Sequence, residues 1–593
     1  MCGVGGEWRR DGRRADVTDV EPMLGCLKPR GPDSGGTWTD GTAALVHRRL
    51  AIIDRSDAGA QPMVDNELDL VLVFNGCIYN YKDLREELHG HGYRFFSTSD
   101  SEVVIKAYHR WGIRCVDRFR GMFAFALYER GSGRLVLARD RLGIKPLYVS
   151  ETPRRIRFAS TLPALLATGD VDTSVDKVAL HHYLSFHSVV PPPRTILTGV
   201  RKLPPATVRV VDPDGSTTDT RYWDVDFARG DRVGMDAADW RAALLDCLRQ
   251  AVDRRTVADV PVGVLLSGGL DSSLVVALLA QQGQAGLTTF SIGFETHGGE
   301  PGDEFVYSDL VAERFGSNHH QIHIDTARLG PALIDAIGAM SEPMVSHDVV
   351  AFHLLSQEVS RHVKVVQSGQ GADEVFAGYS WYPPLVDLDR DKALDGYADA
   401  FFDRSHVELN AALQPQWRLD TDVSRALVAE HFDRPGADTA VDAALRLDTQ
   451  VMLVDDPVKR VDNMTMAWGL EARVPFLDAD LVELAAACPP ELKLADDGKG
   501  ILKAASRGVV PDEIIDRTKG YFPVPAVRHM AGPLLDQVTD ALCGPAARER
   551  GLFDDGYIAQ LFSGPNETRT TLGANGLWQF ALLEMWLQNM GAG

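Results

Sequence analysis

Paired cysteines are missing from this 593-residue chain. Its seven cysteines (Cys2, Cys26, Cys77, Cys115, Cys247, Cys488 and Cys543) are scattered, and an odd count without Cys-x-x-Cys argues against a disulfide framework. Reduced thiols in a cytoplasmic protein are the expectation. No apolar run reaches membrane length and no basic segment with an apolar core opens the chain, so no membrane partner is expected. Positive charge is scarce as well: 61 Lys and Arg face 83 Asp and Glu, a formal net charge of −22. That balance argues against nucleic acid as the main partner. There is no internal repeat and no low-complexity tail. The loop Gly-x-x-x-x-Gly-Lys-Ser/Thr is absent, so γ-phosphate transfer by a P-loop is not supported.

The remaining composition is that of an ordinary soluble enzyme too long for a single core, which predicts two to four domains. The first two hundred residues read as strand-rich. Leu70–Phe74 runs into Asn75-Gly76, and Met122–Tyr128 turns through Gly131-Ser132-Gly133 into Arg134–Ala138 as a hairpin. A helix fits from about Ser101 to Trp111. Prolines and turn residues around 191–215 mark the approach to a domain end, which we set between 225 and 226. Beyond it, apolar strands at Pro261–Leu266, Thr289–Phe294 and His362–Val366 alternate with helices such as Ser272–Gln282. That rhythm predicts a parallel, doubly wound sheet with its site at the strand carboxyl ends, followed by a helical C-terminal part.

Two local features carry chemistry. Removal of Met1 leaves Cys2 bearing the free α-amine, whose reference pKa of about 7.7–8.0 makes it a built-in base for the thiol. Downstream, Ser267-Gly268-Gly269-Leu270-Asp271-Ser272-Ser273 is a glycine turn between strand and helix, the geometry that holds phosphate. Alone, the first is an accident of the start and the second a tight connection. Their company changes that. Cys2 is followed by Arg30-Gly31-Pro32-Asp33, His47–Asp54, Asn75-Gly76-Cys77-Ile78-Tyr79-Asn80 and Ser99-Asp100-Ser101-Glu102.

Over most of residues 2–200 this set resembles the class II glutamine amidotransferases, whose N-terminal cysteine releases ammonia from glutamine. The resemblance implies an N-terminal nucleophile-type α/β/β/α sandwich over residues 1–225. It makes Cys2 the nucleophile, with the Asn75 side chain and Gly76 N–H as oxyanion donors. Arg49 would take the glutamine carboxylate and Asp100 its ammonium, with Ile53 beside them. The family usually has Glu where this chain has Cys77.

Residues 235–530 resemble the asparagine synthetase branch of the ATP pyrophosphatases. The carriers are Ser267–Ser273, Ser368-Gly369-Gln370-Gly371-Ala372-Asp373-Glu374 through Tyr379, and Gly469–Asp478. The resemblance implies an adenylating domain over 226–593 in which Leu266, Ser267, Gly268, Gly269, Asp271, Ser272, Ile292, Ser368 and Gly369 bind ATP. Asp271 and Asp373 would hold Mg²⁺, and Lys519 would neutralise charge as the acceptor attacks the α-phosphorus.

Asparagine synthetases typically read Ser-Gly-Glu-Gly where Gln370 stands, and Gln cannot accept a proton as a carboxylate does. With Cys77, Val345-Ser346-His347-Asp348 and the run Tyr379–Pro384, this resembles the N-acetylglutaminylglutamine amidotransferases. That branch amidates the C-terminal carboxylate of an acetylated dipeptide to give an osmolyte. Asparagine synthesis from aspartate is the alternative, and a sensor that binds glutamine or nucleotide without turnover is a third. Relatives are often homodimers, so a homodimer is expected. A shielded ammonia passage is implied.

Overall fold

The computed structural model describes residues 2–593 apart from 233, 285, 296–301, 347, 519 and 521–528. Two six-stranded antiparallel sheets form the first half. One has the order β10-β8-β9-β1-β3-β2, built from β1 (Cys2–Arg9), β2 (Ser34–Thr39), β3 (Ala43–Arg49), β8 (Tyr148–Thr152), β9 (Arg155–Ala159) and β10 (Arg201–Lys202). The other has the order β12-β11-β7-β6-β5-β4. Its strands are β4 (Met63–Asp65), β5 (Leu70–Ile78), β6 (Gly121–Glu129), β7 (Leu135–Arg139), β11 (Thr207–Val211) and β12 (Thr217–Arg221).

Alternation decides the layers. Val4, Trp8, Leu45, Val71, Val73, Ala124 and Ala126 meet between the sheets. On the outer face of the first sheet lies α1 (Val17–Leu27), with Met23 and Leu27 buried among Ala44 and Val46. On the outer face of the second lie α2 (Tyr81–Gly90) and α3 (Asp100–Trp111), packed on Phe74 and Phe125. The result is the expected α/β/β/α sandwich. Asn75-Gly76 is not a turn: β5 runs through it, pairing Asn75 with Ala124 and Gly76 with Phe123.

The second half is built on a five-stranded parallel sheet ordered β15-β14-β13-β16-β17. Its strands are β13 (Val262–Leu265), β14 (Thr288–Phe294), β15 (Asn318–Ile324), β16 (Val365–Gln367) and β17 (Glu471–Arg473). The strand expected over 362–366 begins only at Val365, where pairing to β13 and β17 starts. Near the sheet lie α5 (Ala237–Arg254) and α6 (Leu270–Gln281), while α4 (Lys177–Ser185), from the first half, packs on helices of the second. A capping box on Asp236 starts α5, and α6 buries apolar residues on all sides, as a helix within the core must. The chain leaves β13 for β14 and β15 on one side and later returns to β16 and β17 on the other. The topological switch between β13 and β16 opens a crevice at their carboxyl ends.

The halves are joined by buried charges. Arg30 pairs with Asp462 at 2.7 Å, and Lys202 with Glu342 and Asp455 at 2.8 and 2.7 Å. The helix α7 (Gly576–Met590) adds a clamp: Gln579 O accepts Tyr183 OH of α4, and Trp586 Nε1 donates to Met340 O. Among the described residues no helix is long and apolar enough to cross a membrane.

Candidate active sites

Cys2 is the first residue of β1, and antiparallel register sets Arg49 of β3 directly opposite. The backbone N–H of Cys2 donates to Asn75 Oδ1 at 2.9 Å. Removal of Met1 turns that nitrogen into the α-amine. Fixing Oδ1 in this way leaves Asn75 Nδ2 buried and, among the described residues, without a partner. A buried donor without an acceptor beside a thiol is what an oxyanion needs. Burial pushes the Cys2 thiol up, against the pull of the amino terminus, a Leu50 backbone N–H and the Arg49 guanidinium.

One small cavity joins Cys2, Arg49, Ile53, Gly76, Cys77 and Asp100. Arg49 also organises its rim, donating through Nη1 to Ser56 O at 2.9 Å and through Nη2 to Ile53 O at 3.4 Å and to Asp54 O. Asp100 opens α3, and its Oδ2 accepts the Ile78 N–H at 3.1 Å. Burial raises its carboxyl to about 6, partly offset by that hydrogen bond. Burial likewise pushes the Cys77 thiol far up, which keeps it protonated and unfit as a second nucleophile. The sequence-predicted residues of this site therefore meet, from four separate segments. Two more cavity residues, Glu471 and Arg473, come from β17 in the other half; the sequence showed them only within the Gly469–Asp478 run and not at this cavity.

The second site lies in the crevice of the parallel sheet. Leu266 N–H donates to Phe290 O at 2.8 Å, and the chain then turns through Ser267-Gly268-Gly269 into α6. Gly268 has φ +78°, and a Cβ there would stand 2.7 Å from Tyr307 Cβ, so only glycine fits. Ser272 Oγ bonds Ser267 on both its N–H and Oγ, at 3.2 and 3.1 Å, which folds the loop over the helix start. Ile292 lies near the carboxyl end of β14, and Ser291 Oγ donates to Leu266 O. From β16 the second loop presses in: a Cβ on Gly369 would lie 2.9 Å from both Asp271 Cβ and Ser272 N.

Asp271 and Asp373 converge on one cation, the Lys499 ammonium, at 2.7 and 2.9 Å. Burial opposes the charge on Lys499, but the two carboxylates outweigh it and hold the pKa above its ordinary value. A pair of oxygens already gathered about positive charge fits a hard divalent cation. Lys519 lies outside the described residues. Its neighbour Arg517 donates to Gly268 O at 3.0 Å and stacks on Tyr307, its guanidinium 3.9 Å from the ring centre.

Gln370 follows Gly369 in the same loop, and one turn later Glu374 is buried. Burial and Asp373 raise its carboxyl to about 7, and Tyr379 OH donates to it at 2.6 Å. The aromatic run divides in two. Tyr379 and Trp381 stack with centres 4.1 Å apart, whereas Tyr382 is fully buried and donates to Asp448 at 2.6 Å. Tyr382 is core, and the stacked pair borders Glu374.

A third cluster spans the interface between the halves: His181, His406 and Asp422 bring ligand-type atoms within 4.8 Å of one another. Asn410 settles its chemistry. Its Nδ2 donates to Leu419 O and to His406 Nε2, both at 3.1 Å, so His406 carries its proton on Nδ1 and faces His181 Nε2 at 2.9 Å. The chain continues to Ser424 Oγ at 2.7 Å and on to His182 at 3.0 Å. A metal would have to displace the proton that Asn410 enforces, so this is a hydrogen-bonded strap.

Known proteins match this arrangement half by half. A glutamine amidotransferase domain model matches residues 1–223, and an asparagine synthase model matches residues 243–588. This chain belongs to the asparagine synthase family. Asparagine synthetase [glutamine-hydrolyzing] 3 of Bacillus subtilis is 31% identical over 549 residues, covering 88% of this chain and 87% of the relative. Asparagine synthetase [glutamine-hydrolyzing] 1 of the same organism is 31% identical over 89% of this chain and 88% of its own length. Asparagine synthetase B [glutamine-hydrolyzing] of Escherichia coli is 30% identical over 84% of this chain and 77% of its own. As a family member the protein is a glutamine-dependent ligase that uses ATP and forms an amide with release of AMP and pyrophosphate.

Proposed function

We propose that the acceptor is the C-terminal carboxylate of N-acetylglutaminylglutamine, so that the product is a neutral osmolyte. Cys2 attacks the glutamine amide, Asn75 Nδ2 and Gly76 N–H hold the oxyanion, collapse of the adduct to a thioester expels ammonia, and hydrolysis of that thioester returns Cys2 and glutamate. Arg49 and Asp100 orient the substrate by its two charged ends. In the second site ATP adenylates the acceptor with loss of pyrophosphate, and ammonia displaces AMP. The Ser267–Ser272 loop and the start of α6 hold the pyrophosphate, with Ser368 and Gly369 closing over it. Asp271 and Asp373 hold Mg²⁺, which screens phosphate charge when bound. Lys519 neutralises the developing charge, and the two units divide near 225/226.

Gln370 carries the choice of acceptor. A carboxylate at that position suits aspartate as acceptor, and its loss here argues for another substrate and another base. Glu374 fits the base: it is one helical turn away, buried, and poised near the operating pH. The stacked Tyr379 and Trp381 offer a flat apolar wall to an acceptor longer than aspartate.

Asparagine synthesis is the second reading, and the names of the relatives favour it. Mass spectrometry separates the two. Protein, glutamine and Mg²⁺-ATP are offered the dipeptide or aspartate in separate reactions. A dipeptide product lighter by the difference between a hydroxyl and an amino group, with matched AMP, supports the osmolyte reading. Robust asparagine formation with no use of the dipeptide overturns it.

A further inference from the structure

The Cys2 cavity is closed by residues that the amidotransferase half does not contain. Glu471 and Arg473 stand on β17 of the parallel sheet, yet both line it. Arg473 is fully buried, and three of its contacts are accounted for. Nε donates to Glu471 Oε1 at 2.6 Å, and Nη1 donates to Arg255 O and Val257 O at 2.8 and 2.7 Å. Nη2 has no partner among the described residues. A buried cationic donor left unpaired is costly, and at a cavity wall its natural partner is a ligand oxygen. Cys77, in the same cavity, supplies only a neutral thiol and no charge to hold that donor.

The same residue reaches the other site. Ser368 N–H, at the head of the second nucleotide loop, donates to Arg473 O at 2.8 Å. We infer that Arg473 is a glutamine-binding residue supplied by the synthetase half, and that its backbone link to Ser368 couples glutamine binding to the nucleotide loop. β17 forms part of the cavity wall, so a shift of Arg473 on taking up a ligand oxygen is passed to Ser368 through that bond. By linkage, nucleotide then changes glutamine affinity by the factor with which glutamine changes nucleotide affinity.

The inference rests on the Cys2 cavity being the glutaminase site, and the test separates the two. Full-length protein is assayed for glutamate release across glutamine concentrations, with and without α,β-methylene-ATP and Mg²⁺, and for AMP release with glutamine or ammonium chloride. Arg473→Lys is expected to raise the glutamine KM about tenfold, the scale of one hydrogen bond to a charged group, more than it changes kcat. The ratio of glutamine-driven to ammonium-driven AMP release falls with it, and the nucleotide effect on KM shrinks toward none. An unchanged KM in Arg473→Lys overturns the binding role. A wild-type KM that ignores the nucleotide analogue overturns the coupling. If Arg473→Lys does not fold, Glu471→Gln, which removes the charge that holds the Arg473 guanidinium in place, must raise the glutamine KM in the same sense, and no change overturns the proposal. Glutamine-driven turnover surviving in Cys2→Ala would instead break the site assignment beneath it.

Discussion

The two active sites are built on opposite plans. The proposed glutaminase centre sits among strands of an antiparallel sandwich, where register puts Arg49 across from Cys2 and the packing of the two sheets puts Asn75 against its backbone nitrogen. The nucleotide centre is gathered from loops at the carboxyl ends of parallel strands, and its geometry depends on contacts between loops far apart in sequence, such as Gly369 against Ser272. A strand-borne site is rigid because each residue is held by two neighbours. A loop-borne site has to be tied, here by Lys499 and Arg517. Rigid placement suits a single repeated attack on one small substrate. Tied loops suit a site that must admit ATP and an acceptor and release pyrophosphate.

The sharpest way to break this comparison is to disable one site and ask whether the other survives. Cys2→Ala is expected to abolish glutamine-driven synthesis while synthesis from ammonium salts persists, measured as AMP release with each nitrogen source. Loss of both would mean that the two plans are not separable. Asn75→Ala tests the strand-borne oxyanion donor alone, with an expected fall in glutaminase kcat of roughly 10²–10³. An unchanged rate would put the oxyanion elsewhere. Asp373→Asn loosens the loop-borne site and should lower AMP release about 10- to 100-fold with either nitrogen source, since it removes a charged hydrogen bond to Lys499 as well as a cation ligand. A defect confined to glutamine would contradict the assignment.

A smaller effect reads the electrostatics. Burial raises the Asp100 carboxyl to about 6, and its proposed role requires it to be ionised when it meets the glutamine ammonium. Above that pH the glutamine KM should be flat. As pH falls below it, KM should climb by about tenfold per unit, following loss of the charged form. Ammonium-driven synthesis should lack this limb, and Asp100→Asn should flatten it at a raised KM. A glutamine KM independent of pH from 7 down to about 5 would show that Asp100 does not bind the ammonium.

Much of the sandwich site was legible because its residues fall in short runs with fixed jobs. Arg49, Asn75, Gly76 and Asp100 all lie within a hundred residues of Cys2; Arg49, Gly76 and Asp100 line one cavity with it, and Asn75 accepts its backbone N–H. The sandwich layers followed from alternation in the strands around Leu70 and Met122. The turn from strand into helix at Ser267–Ser272 was legible for the same reason. Lys499 was not, because a lone lysine after Asp497-Gly498 looks like any solvated turn until the fold sets it between two aspartates. Glu471 and Arg473 were visible only as part of a family signature. Their contact with Cys2 crosses more than four hundred positions, and periodicity carries no information at that range. Gln370 and Cys77 stood out as departures, but only the fold shows Glu374 one turn from the first and Arg473 lining the cavity with the second.

The lysine between the aspartates has one more consequence. A nucleotide site that waits for its ligand to gather its loops must order them at the moment of binding, and part of the affinity is spent on that order. Here the molecule supplies its own counter-ion, so the loops carrying Asp271 and Asp373 are already drawn together before any ligand arrives. A ligand of these loops meets a mould that has already set.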